Sequence, residues 1–341
     1  MIIKEIENKI LKENVFTDII GQETTKQQLK SALLSNRNVL ILGNPGIGKT
    51  TLAKNVAKIL DDLDVVEGCS FHCTKANLVC PNCKNNKKIK TKKISANERF
   101  IRIQGSPDLT VEDLIGDIDP IKAMTFGPLS LEAFTPGKIF KANNGVLFFD
   151  ELNRCPEKLQ NALLQILQER KATVGSYDID FEANFLFIAT MNPEDTNTEK
   201  LSDVLLDRFD VVYMNYPESI DIEKEIVTSQ SKKLIEVSDN LLHFMTYFIR
   251  ILRESKELSK YPSVRASIGL YERTQSNAKI KGKGKADYED FQEIIVSVLA
   301  HRIALKPSVK YLKSPQEFIE EQFNDFADSD VAKEIKKGDS P

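Results

Sequence analysis

The stretch "NVLILGNPGIGKTTLAKNVAKIL" constrains this chain more than any other. Val39 to Leu42 is a short apolar run of strand type. The next eight residues, Gly43, Asn44, Pro45, Gly46, Ile47, Gly48, Lys49 and Thr50, fit G-x-x-x-x-G-K-[ST], and Thr51 follows. Leu52, Val56, Ile59 and Leu60 then recur at helical spacing. Strand, glycine-rich turn and helix in that order make an anion cradle. Glycines let the backbone curl so that several N–H groups face one anion, and the helix N-terminus adds positive potential. Lys49 is placed to reach phosphate oxygens and the Thr50 hydroxyl to ligate Mg²⁺. A glycine-rich turn can arise by chance, but its setting between strand and helix predicts a nucleoside-triphosphate site.

A second apolar run, Val146 to Phe149 in "NGVLFFDELNRCPEKLQNALLQILQER", ends in Asp150 and Glu151. Alone, such a pair is an ordinary solvated strand end. Combined with the phosphate loop it supplies the two carboxylates that hydrolysis needs. Asp150 is predicted to hold Mg²⁺ through its water shell, and Glu151 to polarise the attacking water as general base. Acids at the C-terminal end of a strand sit where open α/β sheets bind ligands. Pro156 opens a helix with Leu159, Leu163, Ile166 and Leu167 on one face. A third apolar run, Phe185 to Ala189, ends in Thr190 and Asn192, whose amide can orient water or touch a γ-phosphate, although an isolated Asn is more often a turn residue. Arg208 precedes a fourth run; it is a surface group, or it reaches a neighbouring subunit's γ-phosphate. Upstream, Ile19, Ile20 and Gly21 are candidates to cover an adenine face, against the plainer reading that Ile19 and Ile20 are a core strand.

Taken together these motifs resemble the AAA+ ATPases. Gly43 to Thr50 looks like Walker A, Asp150 and Glu151 like Walker B, Asn192 like sensor 1, Arg208 like the arginine finger, and Arg265 in "YPSVRASIGLYERTQ" like sensor 2. Within that family, "FFDELNRCPEKLQNALLQILQERKATVG" is similar to the MoxR group, and "EAFTPGKIFKANNGVLFFDE" leans towards the ATPase subunit of magnesium chelatase. The resemblance spans about residues 15 to 305. It implies an α/β fold, a P-loop NTPase αβα sandwich over residues 1–215, followed by an all-helical lid over 216–341 with a frayed tail. It also implies Mg²⁺-dependent ATP hydrolysis, a homo-oligomeric and hexameric ring with Arg208 acting in trans, Arg265 able to act across the same interface, and a partner carrying a von Willebrand factor A domain. Inserts at Ser106–Phe140 and Thr173–Asn184 are expected to line the pore or face partners. Minichromosome maintenance helicases share the wider clade, so a DNA-acting motor is the alternative, and a non-hydrolysing nucleotide-binding scaffold is a third reading.

The 341 residues suit two domains, and 41% apolar with 28% charged content allows a real core. With 47 basic against 50 acidic residues, net charge is −3, so no global basic field points to nucleic acid. The N-terminal "MIIKEIENKILKEN" has no apolar signal-peptide region, and no apolar run approaches membrane-spanning length. Both absences predict a cytoplasmic location, where thiols stay reduced.

Four of the five cysteines, Cys69, Cys73, Cys80 and Cys83, lie in "GCSFHCTKANLVCPNC", within an insert of about 61–97. In a reducing compartment, two close pairs fit a Cys₄ structural Zn²⁺ site better than disulfides. His72 could replace one cysteine, an iron–sulfur cluster uses the same ligands, and ordinary thiols remain an alternative. Six lysines between Lys84 and Lys93 follow; without an aromatic for base stacking, a solvated loop is favoured over a nucleic-acid contact. His243 and His301 read as packed or surface histidines in lid helices, and Lys279–Tyr288 as a basic connector.

Overall fold

The computed structural model describes residues 2–12, 14–86, 88–127, 130–174, 179–193 and 201–337, with the side chains of 131, 173, 174, 179 and 180 excepted. Residues 175–178 of the expected hairpin, 128–129 of the expected insert, Lys87 of the lysine run and the last residues of the tail lie outside that description. The chain divides into two units. The first holds Met1–Ile19, Glu23–Asn44 and Gly48–Met214; the second holds Asn215–Pro341 together with Ile20–Gln22 and Pro45–Ile47.

The strands of the first unit, in chain order, are β1 (Asn38–Leu42), β2 (Leu63–Val66), β3 (Thr91–Ile94), β4 (Phe100–Gln104), β5 (Gly116–Ile118), β6 (Phe134–Pro136), β7 (Val146–Asp150), β8 (Lys171–Val174), β9 (Ile179–Glu182), β10 (Leu186–Met191) and β11 (Phe209–Tyr213). Five of them form one parallel sheet in the order β11-β1-β10-β7-β4. Strands buried on both faces read as continuous apolar runs rather than alternating ones. That is why "VLFFD" and "LFIATM" are buried almost throughout. Helix Lys49–Lys58 buries Leu52, Ala53, Val56 and Ala57, and helix Glu157–Glu169 buries Leu159, Leu163, Ile166 and Leu167. Pro156 is the residue capping that second helix rather than part of its first turn.

Three small antiparallel pairs decorate the sheet: β2 with β3, β5 with β6, and β8 with β9. The β2–β3 ribbon carries the cysteines. The β5–β6 pair belongs to the expected 106–140 insert, and the β8–β9 pair falls on the expected 173–184 hairpin, beginning two residues earlier.

The second unit is mostly helical. Helices Asp239–Glu254, Val264–Ile280 and Pro315–Asp328 surround an apolar cluster in which Phe244, Phe248, Phe291, Phe323 and Phe326 meet at ring-centroid distances between 4.6 and 6.4 Å. Ser238 and Ser314 cap two of these helices by accepting backbone N–H bonds. An α/β core followed by a helical region is therefore what the sequence predicts and the fold contains. Three details differ. A short antiparallel pair, β12 (Leu258–Lys260) with β13 (Ala304–Leu305), interrupts the helices. His301 lies in a turn after helix Ile295–Leu299 rather than within a helix. The tail is helical over Asp330–Lys337, because Ala332 is buried and the Lys336 ammonium lies 5.1 Å from the Phe244 ring centre.

Candidate active site

Parallel pairing puts the ends of β1, β7 and β10 at one edge of the sheet. Leu42 is opposite Met191, Ala189 is opposite Phe149, and Gln104 is opposite Asp150. The turn after β1 carries the phosphate loop. Gly48 caps helix Lys49–Lys58 in the left-handed region at φ 106°, which only glycine adopts cheaply. Lys49 Nζ donates to the carbonyls of Gly43 and Asn44, so its ammonium folds back over the loop. The Thr50 hydroxyl donates to Asp150 Oδ2 at 3.4 Å. The other carboxylate oxygen, Oδ1, accepts from the Thr190 hydroxyl at 2.6 Å, and that same hydroxyl accepts from the Glu151 amide at 3.0 Å. Asp150 is buried and Glu151 half-buried. Glu151 has left-handed torsions, φ 56° and ψ 55°, a sparsely populated state for a residue with a Cβ. It is held there by the Thr190 bond and by Gly105, where an added Cβ would lie 2.1 Å from the Glu151 carbonyl oxygen.

Asn192 follows β10 at the same edge and is half-buried. Arg208 stands at the other end of the sheet. It immediately precedes β11, whose first residue pairs with Asn38, the first residue of β1; its carbonyl accepts from the Asn38 side chain, and its guanidinium pairs with Asp207 at 2.8 Å. A five-residue strand at about 3.3 Å per residue separates it from the loop after Leu42. The chain does not bring Arg208 to its own phosphate loop. In the second unit, Gly21 has φ +66° and lies against Ile222, and Arg265 is exposed with its aliphatic stem beside Gly46, where an added Cβ would sit 3.1 Å from Arg265 Cδ. Thr51 is exposed on the first helical turn.

The four clustered cysteines form a separate centre. Their Sγ atoms all lie within 4.8 Å of one another, and Cys69 and Cys80 are 3.7 Å apart. No disulfide joins any of the five cysteines. Cys73, Cys80 and Cys83 are buried and Cys69 is partly exposed. Backbone amides point at the sulfurs: Val79 and Cys80 donate to Cys73 Sγ at 3.2 and 3.4 Å, and Cys83 donates to Cys80 Sγ at 3.4 Å. Hydrogen bonds from Cys73 and Cys80 hold the Cys69 thiol far below its usual range. Sharing a proton with Cys69 pushes Cys80 up to about 12, and burial pushes Cys83 up to about 12. His72 is not part of this group; its Nδ1 is buried without a hydrogen-bond partner among the described residues, and burial pushes its pKa down.

Comparison with known proteins decides the family. Residues 80–211 match the family model described as ATPase family associated with various cellular activities (AAA), and residues 15–101 match that of magnesium chelatase, subunit ChlI. The chain is 27% identical to the magnesium-chelatase subunit ChlI homolog of Methanocaldococcus jannaschii, over 91% of each chain. The chain is an AAA+ ATPase. It is related to MoxR-like proteins and to the magnesium-chelatase subunit ChlI. Chaperone MoxR1 of Mycobacterium tuberculosis is 27% identical over 84% of this chain and 73% of that one. A chain from a cryo-EM reconstruction of the complex between subunits BchI and BchD of magnesium chelatase aligns with TM-score 0.48 and 21% identity, covering 86% of this chain and 97% of that one. No described helix is long and apolar enough to cross a membrane.

The residues of this ATPase fit a magnesium nucleotide: a hydroxyl and a carboxylate meet at 3.4 Å beside an ammonium and a glycine-rich turn. The same geometry brings in residues that no motif marks. Arg102 pairs with Asp150 Oδ2 at 2.5 Å, and Gln104 donates to Glu151 Oε2 at 3.0 Å. Both lie on β4, the strand beside β7, and reach the acids only through that register. Arg154 pairs with Glu151 at 3.3 Å from three residues on. The alternation of "FIRIQ" signals which residues of β4 share a face, but not which acid lies next to them.

Proposed function

We propose that this ATPase couples Mg²⁺-dependent ATP hydrolysis to remodelling or activation of a protein partner. Bound Mg²⁺ would neutralise charge on the terminal phosphates. Lys49 and the loop amides of Gly43–Gly48 bind phosphate oxygens, Thr50 and Asp150 hold the ion, and Glu151 takes a proton from the attacking water. Asn192 orients that water, while Ile20 and Gly21 cover the adenine. The observation that carries the reading is the 3.4 Å approach of Thr50 to Asp150, with Glu151 fixed on the next residue by Thr190. Lys49→Ala should abolish ATP binding and turnover. Glu151→Gln should abolish turnover but keep binding, read by a fluorescent nucleotide and phosphate release. Hydrolysis by Glu151→Gln at the parent rate would remove Glu151 from the role of base.

Subunits assemble into a ring, proposed as a hexamer, in which Arg208 serves the neighbour's nucleotide. What supports this is the position of Arg208 at the sheet end opposite its own loop. Arg265 contributes as a second arginine. The partner is proposed to carry a von Willebrand factor A domain, as the MoxR resemblance implies. Mixing Arg208→Ala subunits with Lys49→Ala subunits should restore part of the activity that each lacks alone; no recovery at any ratio counts against action in trans. The four cysteines are proposed to hold a structural Zn²⁺, with Cys69, Cys73, Cys80 and Cys83 as its ligands.

A further inference from the structure

The tip of the cysteine ribbon is set into the base of the ATPase sheet. Phe71 and His72 form a turn between Cys69 and Cys73, with His72 at φ 45° in the left-handed region. The Phe71 ring lies 4.9 Å from Phe140 and 5.2 Å from Phe181 on β9. The carbonyls of Phe71 and His72 accept from the side-chain amides of Asn143 and Asn144 at 3.1 and 3.3 Å. Those two asparagines also hold the start of β10. Asn143 Oδ1 accepts from the Asn184 amide at 3.2 Å, and the Asn144 amide donates to the Asn184 carbonyl at 2.7 Å. One partly buried network thus joins the turn, the residues just before β7 and the residues between β9 and β10.

The strained turn has cysteine ligands on both sides. A thiolate-bound ion has Zn–S distances of about 2.3 Å, so a tetrahedral cage has edges of about 3.8 Å. The Cys69–Cys80 edge is 3.7 Å, and every edge is within 4.8 Å. A polynuclear cluster must fit bridging sulfides and further irons between its cysteines and needs a wider cage. A disulfide needs sulfurs about 2 Å apart. We infer that the cage takes one soft divalent ion, and that this ion is the clasp that keeps Phe71 and His72 seated against Phe140, Phe181, Asn143 and Asn144, so that metal binding at the ribbon orders the β9–β10 junction of the ATPase core. The inference rests on the reading that the cysteines bind metal. Metal-bound thiolates also match the three amides already directed at Cys73 and Cys80.

Elemental analysis and hydrogen exchange on the full chain test it. The expected result is one zinc equivalent per chain, no acid-labile sulfide, and tetrahedral thiolate bands after replacement by Co²⁺. Chelation should speed exchange at the Ala183, Asn184 and Leu186 amides at least tenfold, since each now donates a hydrogen bond. Phe71→Ala should keep the metal and give the same acceleration, which separates the clasp from loss of the ribbon's own fold. Less than a tenth of an equivalent of metal overturns the metal reading itself. Several irons with sulfide overturn the single ion and leave the metal reading standing. One bound ion with unchanged exchange at 183–186 in Phe71→Ala overturns the clasp alone.

Discussion

The acids of the nucleotide site are crowded by close backbone approach, and single atoms decide what the site tolerates. Gly105 lies directly under Glu151, its amide donating to the Asp150 carbonyl at 2.7 Å. A methyl group there would meet the Glu151 carbonyl at 2.1 Å, so backbone must move. Gly105→Ala should destabilise the first unit by about 1–3 kcal/mol, as overpacking does. It should also depress ATP turnover more than ATP binding, because the displaced residue is the proposed base. Gly46 has φ +78°, and its replacement by Ala forces a left-handed L-residue costing about 1–2 kcal/mol. Nucleotide affinity should fall in that variant, measured by titration with a fluorescent analogue. At this scale the sequence was informative wherever chemistry demands a residue type at fixed spacing. Lys49, Thr50, Asp150 and Glu151 were legible for that reason. Arg102 and Gln104 were not, because their positions depend on which strand lies beside β7, a non-local fact.

At the scale of elements, the helices of the second unit are tied by a buried charge. Arg253 donates to both oxygens of Glu223 at 2.7 and 2.8 Å, and Ser267 donates to the same carboxylate at 2.5 Å. Glu223 is fully buried and the Arg253 side chain is 8% exposed. Removing one partner of such a pair strands the other charge, which costs about 3–5 kcal/mol. Glu223→Ala should therefore lower the unfolding free energy of the second unit by that amount, read from denaturant unfolding, and leave exchange protection of β1, β7 and β10 unchanged. Replacing both Glu223 and Arg253 with apolar residues should cost less than Glu223→Ala alone. The apolar periodicity of helix Asp239–Glu254 announced the helix but not this pair, since an isolated Glu in helix Ile220–Gln230 reads as solvated. The cysteine ribbon shows the reverse: spacing disclosed the group of four thiols, whereas the size of the cage they form needed coordinates.

Across the whole molecule, each unit has its own apolar core, so each is expected to report separately on damage. The terminal helix Asp330–Lys337 belongs to the second. Its charged sequence conceals an anchor: Ala332 is buried, and Lys336 lies 5.1 and 5.4 Å from the rings of Phe244 and Tyr288. Truncation after Ser329 should lower the melting temperature of the second unit while the first keeps its nucleotide affinity. This helix was hard to read because Ala332 and Ile335 are the apolar residues it sets against the core, and charged residues dominate its composition.

The ribbon also leaves and rejoins the core at a single point, since Leu63 at the start of β2 pairs with Ile94 at the end of β3. Adjacent entry and exit make it a cassette: a short turn could bridge 64 to 93 without stretching the chain on either side. Excision would bare Phe140 and Phe181, so a viable deletion should need smaller or polar residues at those two sites. A lineage that loses the cysteines is expected to have changed those phenylalanines as well, and a search for that paired change among shorter relatives would show whether the cassette travels as a unit.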